Sequence, residues 1–206
     1  AASIGVAAGV FAALRSGRWA DRVITVAASL GIALPNFWVA LLLAYVVGVR
    51  WRLLPAVWPA GGPTSLAGWF EALLLPSLAL GCAAAAAIAR QTRSSVIGVI
   101  QREHIRTALA KGLSVRQVVG RHVLRNAAIP VVTLMGFQVS ALLGGSVFVE
   151  AVFNIPGLGM YGVDAILRGN TPALLGFVLV TALAVVVVNL VLDIAYAWLN
   201  PKVRVA

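Results

Sequence analysis

The chain is a succession of long apolar runs divided by shorter polar connections, and the runs dictate the elements. Residues 23–49, 72–89, 127–149 and 173–199 are each apolar over a length that can cross a bilayer as a helix, which takes roughly 17–25 residues. A shorter stretch at 1–14, AASIGVAAGVFAAL, precedes them and is expected to be part of a further span that begins upstream. No basic segment leads into it and more apolar runs follow, which argues against a signal peptide. The pattern predicts an all-α, polytopic helical membrane protein, with residues 1–206 forming a single transmembrane domain. Small residues four apart, Gly5 with Gly9 and Ser140 with Gly144, together with the alanines at 83–87, allow helices to approach closely. Pro35 is expected to kink its span by removing a backbone hydrogen bond.

Composition and charge sharpen this picture. Of 206 residues, 61% are hydrophobic and 11% charged, and the mean hydropathy is +0.98; an average soluble domain carries about 25% charged residues. The formal net charge is +10, from 16 Lys and Arg against 6 Asp and Glu. Of those 16, all but Arg50, Arg52 and Arg168 fall in the connections on one side of the spans, so that side is cytoplasmic by the positive-inside rule. Orientation thus accounts for the basic excess, and nucleic-acid binding is not needed to explain it. Cys82 is the one cysteine; it permits no intrachain disulfide and is expected as a small packed residue in its apolar run.

The outer connections carry two patterns. Gly157, Gly159 and Gly162 reproduce the spacing of a dinucleotide-binding loop. No βαβ unit surrounds them, Ala182 stands where the ribose-binding acid would follow about 20 residues on, and the loop lies outside. Pro156 with closely spaced glycines reads instead as a tight turn into a short helix, MYGVDAIL. Trp51, Trp58, Trp69 and Phe70 suit an interfacial aromatic belt.

The most informative stretch is the cytoplasmic connection 90–126. Ile105, Ala108, Leu109 and, beyond the turn, Leu113 form an apolar stripe at helical spacing. Gly112 interrupts it as a C-cap would. Ser114 is placed to cap a second helix that carries Val115, Val118, Val119 and Val123 on one face. Two short helices at a turn, studded with Arg and Lys, fit either a protein groove or an anionic lipid surface.

The run REHIRTALAKGLSVRQVVGRHVLRNAAIP resembles the cytoplasmic loop of permease subunits of ABC importers, in the dipeptide/oligopeptide branch that includes nickel and glutathione permeases. VFNIPGLG resembles that branch's outer-loop signature, carried here by Pro156, Gly157, Leu158 and Gly159. NLVLDIAYAWLNPKVR resembles its terminal helix and tail. The resemblance covers about residues 75–204, and residues 1–70 match only in pattern. Relative to the wider importer loop, Arg106, Thr107 and Ala108 stand at the E-A-A positions, Gly112 at the glycine, and Arg125 where a proline closes the motif; these features are those of the peptide branch. His104 stands where that branch has an aromatic residue.

The resemblance implies an importer permease core whose two short helices are coupling helices docking on a cytoplasmic ATPase. Arg102, Glu103, His104, Ile105, Arg106, Thr107, Ala108, Leu109, Lys111, Gly112, Leu113 and Arg116 would form that contact, with Ile105 and Leu109 as its apolar anchors. It also implies a second homologous permease, two ABC ATPase subunits or a fused ATPase, an extracytoplasmic substrate-binding protein, and a bacterial or archaeal plasma (inner) membrane. The chain has no G-x-x-x-x-G-K-[ST] loop, so ATP and magnesium are expected on the partner subunits, with no cofactor, catalytic residue or metal site in this chain. Peptides are the expected cargo, with nickel, glutathione or haem-like ligands as alternatives.

Polar residues inside spans usually face the bundle or a water-filled path; Asn36, Gln138 and Ser140 are such candidates. Asn189 and Asp193 lie four apart near the cytoplasmic end of the last span and are read as structural hydrogen-bonding groups. Glu150 and Asp164 are expected on the solvated outer face. His104 and His122 lack the acidic or cysteine neighbours of a metal site. A standalone proton-coupled transporter would need acids near mid-membrane, where this chain has only the off-centre Asp193. An intramembrane hydrolase would need a histidine or second acid within the spans.

Overall fold

The structure is a computed structural model that describes the backbone of residues 1–199. It describes the side chains there except those of Arg106, Leu109, Val115, Arg116, Arg121, Asp193 and residues 195–199. Among the described residues every regular element is helical: α1 (Ala2–Leu14), α2 (Trp19–Ala33), α3 (Asn36–Leu43, widening into π-helical turns over Ala44–Arg50), α4 (Leu66–Ile100), α5 (Glu103–Ala110), α6 (Val115–Val118, widening over Val119–Val123), α7 (Leu124–Phe153), α8 (Leu158–Leu167) and α9 (Thr171–Leu199). The helices α4, α7 and, over Thr171–Leu192, α9 are long and apolar enough to cross a membrane; α2 and α3 with its continuation make a fourth span if the broken pair is taken as one.

Local chemistry explains the departures from the apolar pattern. The helix expected over 23–49 stops at Ala33 and restarts at Asn36. Pro35 has no N–H, and its ring would strike the carbonyl four residues back, so the helix ends and Pro35 caps the next one. The amides of Trp38 and Val39 reach the Pro35 carbonyl at 3.0 and 3.1 Å. The basic stretch after residue 89 continues α4 to Ile100, because Val96 and Val99 on its face are buried. Cys82, expected to be packed, is exposed.

The chain divides into two compact units, one made of Ala1–Gly31, Ala84–Gln138 and the chain from Val187, the other of Ile32–Ala83 and Val139–Val186. In the first, Gly5 and Gly9 seat α1 directly on α4. A Cβ on Gly9 would lie 2.5 Å from the Ala89 carbonyl oxygen and 2.6 Å from Thr92 Cβ; one on Gly5 would lie 2.7 Å from the Ala85 oxygen. The apolar core of this unit gathers Ala13, Val96, Val99, Ile105, Val118, Val123 and Ala127. In the second unit, Ala40, Leu75, Ala79, Val149 and Phe153 form the core. Many large apolar side chains point outward instead, among them Leu179, Leu183 and Val186 on α9, as a chain solvated by lipid or by apolar partners requires.

The α1–α4 contact predicts an inversion of ordinary helix propensity. Gly9→Ala should destabilise the protein by about 1–3 kcal/mol through overpacking, although alanine is the better helix former. Gly98→Ala on α4, where a Cβ meets nothing within 4 Å, should be neutral or stabilising. Thermal unfolding midpoints in detergent compare the two.

Candidate functional site

The hairpin α5–α6 is closed by its own chemistry. Gly112 sits at φ +84°, the left-handed region that favours glycine. A Cβ there would meet nothing within 4 Å, so conformation and not space calls for the glycine. Around it the Lys111 amide donates to the Thr107 carbonyl at 3.0 Å. Ser114 and Gln117 form a reciprocal cap: the Gln117 amide reaches Ser114 Oγ at 3.4 Å, while the Ser114 amide and hydroxyl donate to Gln117 Oε1 at 3.2 and 2.9 Å.

The inner face of the hairpin is fastened to the chain itself. Ile105 is 1% exposed and packs with Val96 and Val99 of α4, Ala13 of α1, Val118 and Val123 after the turn, and Ala127 of α7. Ala108 and Leu124 pack against this cluster. The expectation that Ile105 projects into a partner's groove is therefore corrected. Helical spacing does put it on an apolar stripe, but Ile105 and Ala108 of that stripe are covered by α1, α4 and α7, and full burial of a side chain such as Ile105 is worth about 1.5–3 kcal/mol. Glu103, His104, Thr107, Lys111, Gly112 and Leu113 are exposed beyond it, as is Arg102 just before α5. Among the described residues, Leu113, at 41% exposure, is the large apolar side chain on that outer surface. The side chains of Arg106, Leu109 and Arg116 lie outside the described residues.

A second constellation at this end escaped the sequence reading. The Arg93 guanidinium of α4 grips Asp21 of α2 through both carboxylate oxygens: Nε donates to Oδ1 and Nη2 to Oδ2, the latter at 2.7 Å. The Gly17 amide adds a 2.9 Å bond to Oδ2, and Asp21 is 3% exposed. Both residues lie outside the apolar segments 23–49 and 72–89. Farther along the same helices, Arg90 Nη2 donates to Ser29 Oγ at 2.9 Å. The two residues of the ion pair are 72 positions apart, and a single sequence carries no signal of such a pairing.

The outer glycine motif has a physical occupant. The Glu150 carboxylate accepts from the Met160 amide at 2.8 Å, at the N-terminus of α8, where unpaired amides and the helix dipole favour a negative charge. A Cβ on Gly157 would overlap that carboxylate. One on Gly159 would lie 2.6 Å from Val147 Cγ2 and 3.0 Å from Glu150 Oε2, and one on Gly162 would lie 2.9 Å from the Phe177 ring. Glu150, expected in solvent, is half-buried as a consequence; Asp164 is exposed and pairs with Arg168 at 2.8 Å. Pro156 lines a cavity of about 430 Å³ with Trp58, Asn154, Ile155 and Met160, while Leu158 is largely exposed.

Of the span candidates, Asn36 is half-buried against α7, its amide nitrogen 3.4 Å from the Cβ position of Gly145. Ser140 is exposed in the same unit. Gln138 is half-buried in the other unit, Asn189 is exposed, and the Asp193 side chain lies outside the described residues.

Residues 5–205 match the family described as "Binding-protein-dependent transport system inner membrane component". The chain is 44% identical over 200 residues to the glutathione transport system permease protein GsiC of Escherichia coli strain K12, and to the proteins of the same name from Shigella dysenteriae serotype 1 and Shigella boydii serotype 4. The aligned region is 97% of this chain and 63% of each relative, so the chain spans less than two thirds of their length.

The Glu150 contact predicts that α8 depends on a charge outside itself. Removing a helix cap costs about 0.5–2 kcal/mol. Glu150→Ala and Gly157→Ala should both therefore speed exchange of the Met160 amide, the second because it displaces the carboxylate. Hydrogen–deuterium exchange resolved at α8 checks this; unchanged protection in both variants would contradict the capping role.

Proposed function

The chain belongs to the family of binding-protein-dependent transport system inner membrane components, and from that premise we propose that it is a transmembrane subunit of an ATP-driven ABC importer whose α5–α6 hairpin is the coupling element. A second permease, two ATPase subunits carrying ATP and magnesium, and an external binding protein complete the assembly. The proposed division of labour is simple: the chain supplies a path and a lever, and the bond-breaking chemistry belongs to the ATPases. Short peptides are the proposed cargo class. Glutathione, a tripeptide, is the first compound to test because the similar permeases bear its name.

The observation that carries the coupling role is the burial of Ile105 beneath an exposed, charged outer surface. A hairpin held only by its ends would absorb a push by bending. This one is bolted through Ile105 and Val118 to α1, α4 and α7, and tightly packed interiors transmit displacement instead of yielding to it. An ATPase that closes on ATP would move the hairpin and the inner ends of those helices as one body. Arg102, Glu103 and Lys111 supply charge at the rim, where each pair contributes at most about 1 kcal/mol but orients the partner. Leu113 is the exposed apolar contact. Asn36 and Ser140 are proposed to line the path, in keeping with polar side chains at membrane depth.

Uptake of labelled glutathione and of dipeptides into proteoliposomes tests the reading, with the full-length protein assembled with its partners and ATP inside. ATP-dependent uptake of either is expected. Gly112→Val forces a β-branched residue into the left-handed region at a cost of about 1–2 kcal/mol and should impair uptake while leaving membrane insertion intact. Gly112→Asn, which tolerates that backbone, should retain most of it. Uptake without ATPase subunits, or full activity of Gly112→Val, would overturn the assignment.

A further inference from the structure

The Asp21–Arg93 contact lies close to the hairpin. Arg93 precedes Val96 by three residues, about 4.5 Å along the helix, and Val96 belongs to the core that holds Ile105. What α2 otherwise offers its neighbours is slight. Its fully buried residues besides Asp21 are Ala20, Ala28 and Gly31; Ile24 and Thr25 are half-buried beside Ala89, Arg90 and Arg93 of α4, while Val23, Val26 and Leu30 are more than half exposed. Small residues let helices come close but present no knobs to stop one sliding along the other. A guanidinium bound to both oxygens of a carboxylate does, because its two hydrogen bonds fix direction as well as distance.

We propose that Asp21 and Arg93 are positioning residues that make α2 follow α4 when the coupling hairpin moves, and so set how much cargo is carried per ATP hydrolysed. The proposal rests on the reading of α5–α6 as the ATPase-coupling element. Three further contacts support it. The Gly17 amide ties the same carboxylate to the turn between α1 and α2, so the pair also holds the way into α2. Arg90 with Ser29 adds a second polar tie between α4 and α2, and Ser29 is itself anchored to the Thr25 carbonyl at 2.9 Å. A buried ion pair gives little net stability over a well-packed apolar substitute. Fixing the register of α2, whose fully buried residues besides Asp21 are alanine and glycine, is a task that apolar contact alone performs poorly.

The test uses the full-length protein in its complete assembly in proteoliposomes, measuring ATP hydrolysed and labelled cargo imported in the same samples. Asp21→Asn and Arg93→Gln should each raise the ATP consumed per cargo by at least about fivefold, the lower end of ordinary coupling free energies, while hydrolysis stimulated by the binding protein persists. The exchange of charges, Asp21→Arg with Arg93→Asp, should bring the ratio back toward that of the unaltered protein. Asp21→Glu keeps the charge but displaces the guanidinium by one methylene, and should give an intermediate ratio. That variant also carries the test if the neutral ones fail to assemble. A ratio unchanged in every assembled variant, with hydrolysis and uptake falling together or not at all, would overturn the positioning role. Failure of the underlying reading is distinct: there the unaltered protein itself would import cargo without ATP, or would be indifferent to Gly112→Val.

Discussion

Ile105 is buried where a docking anchor was expected to be exposed, and the mechanical character of the α5–α6 hairpin follows from that burial. Its side chain belongs to a buried cluster that also draws on the last turns of α4, the end of α1 and the start of α7. The hairpin is consequently part of the core of its unit and not an appendage on it. The closing turn at Gly112 and the Ser114–Gln117 cap keep the outer surface in a fixed shape. The apolar interior keeps that surface in a fixed place. A partner that grips the outer surface thereby grips three helices.

Among the described residues, carboxylates near the ends of the spans that are withdrawn from solvent are satisfied by similar means at two places. Asp21 receives a guanidinium and a backbone amide; Glu150 receives the Met160 amide near the start of α8, in a space kept open by Gly157 and Gly159. In each case glycine is needed next to the acid, at Gly17 for a left-handed backbone and at Gly157 for room. An unpaired buried carboxylate would be far more costly than either arrangement, which ties the placement of the glycines to that of the acids.

The apolar periodicity carried much of this information, and its limits were physical. The stripe of Ile105, Ala108, Leu109 and Leu113 and the second face of Val115, Val118, Val119 and Val123 are visible in the sequence, since 3.6-residue spacing marks a face whatever lies against it; Leu113 is exposed all the same. Which surface covers that face is a matter of tertiary packing, and here it is the chain's own. Pro35 announces a disturbance, but whether a helix bends or stops depends on what can hold the freed carbonyls. The spacing of Gly157, Gly159 and Gly162 was readable as a turn, not as a cradle for Glu150, because the acid lies seven residues upstream on another helix. The Asp21–Arg93 pair left no local trace at all.

An intrachain distance measures the rigidity of the hairpin against the helices that hold it. Spin labels at Ser94 on α4 and Lys111 at the turn, both exposed and in the same unit, can be read by double electron–electron resonance in the assembled complex with and without ATP. One narrow distance distribution is expected in both states, while distances to the proposed second permease change. A shift of the Ser94–Lys111 distance by more than about 5 Å, one helical turn, would show the hairpin moving on a hinge and would contradict it.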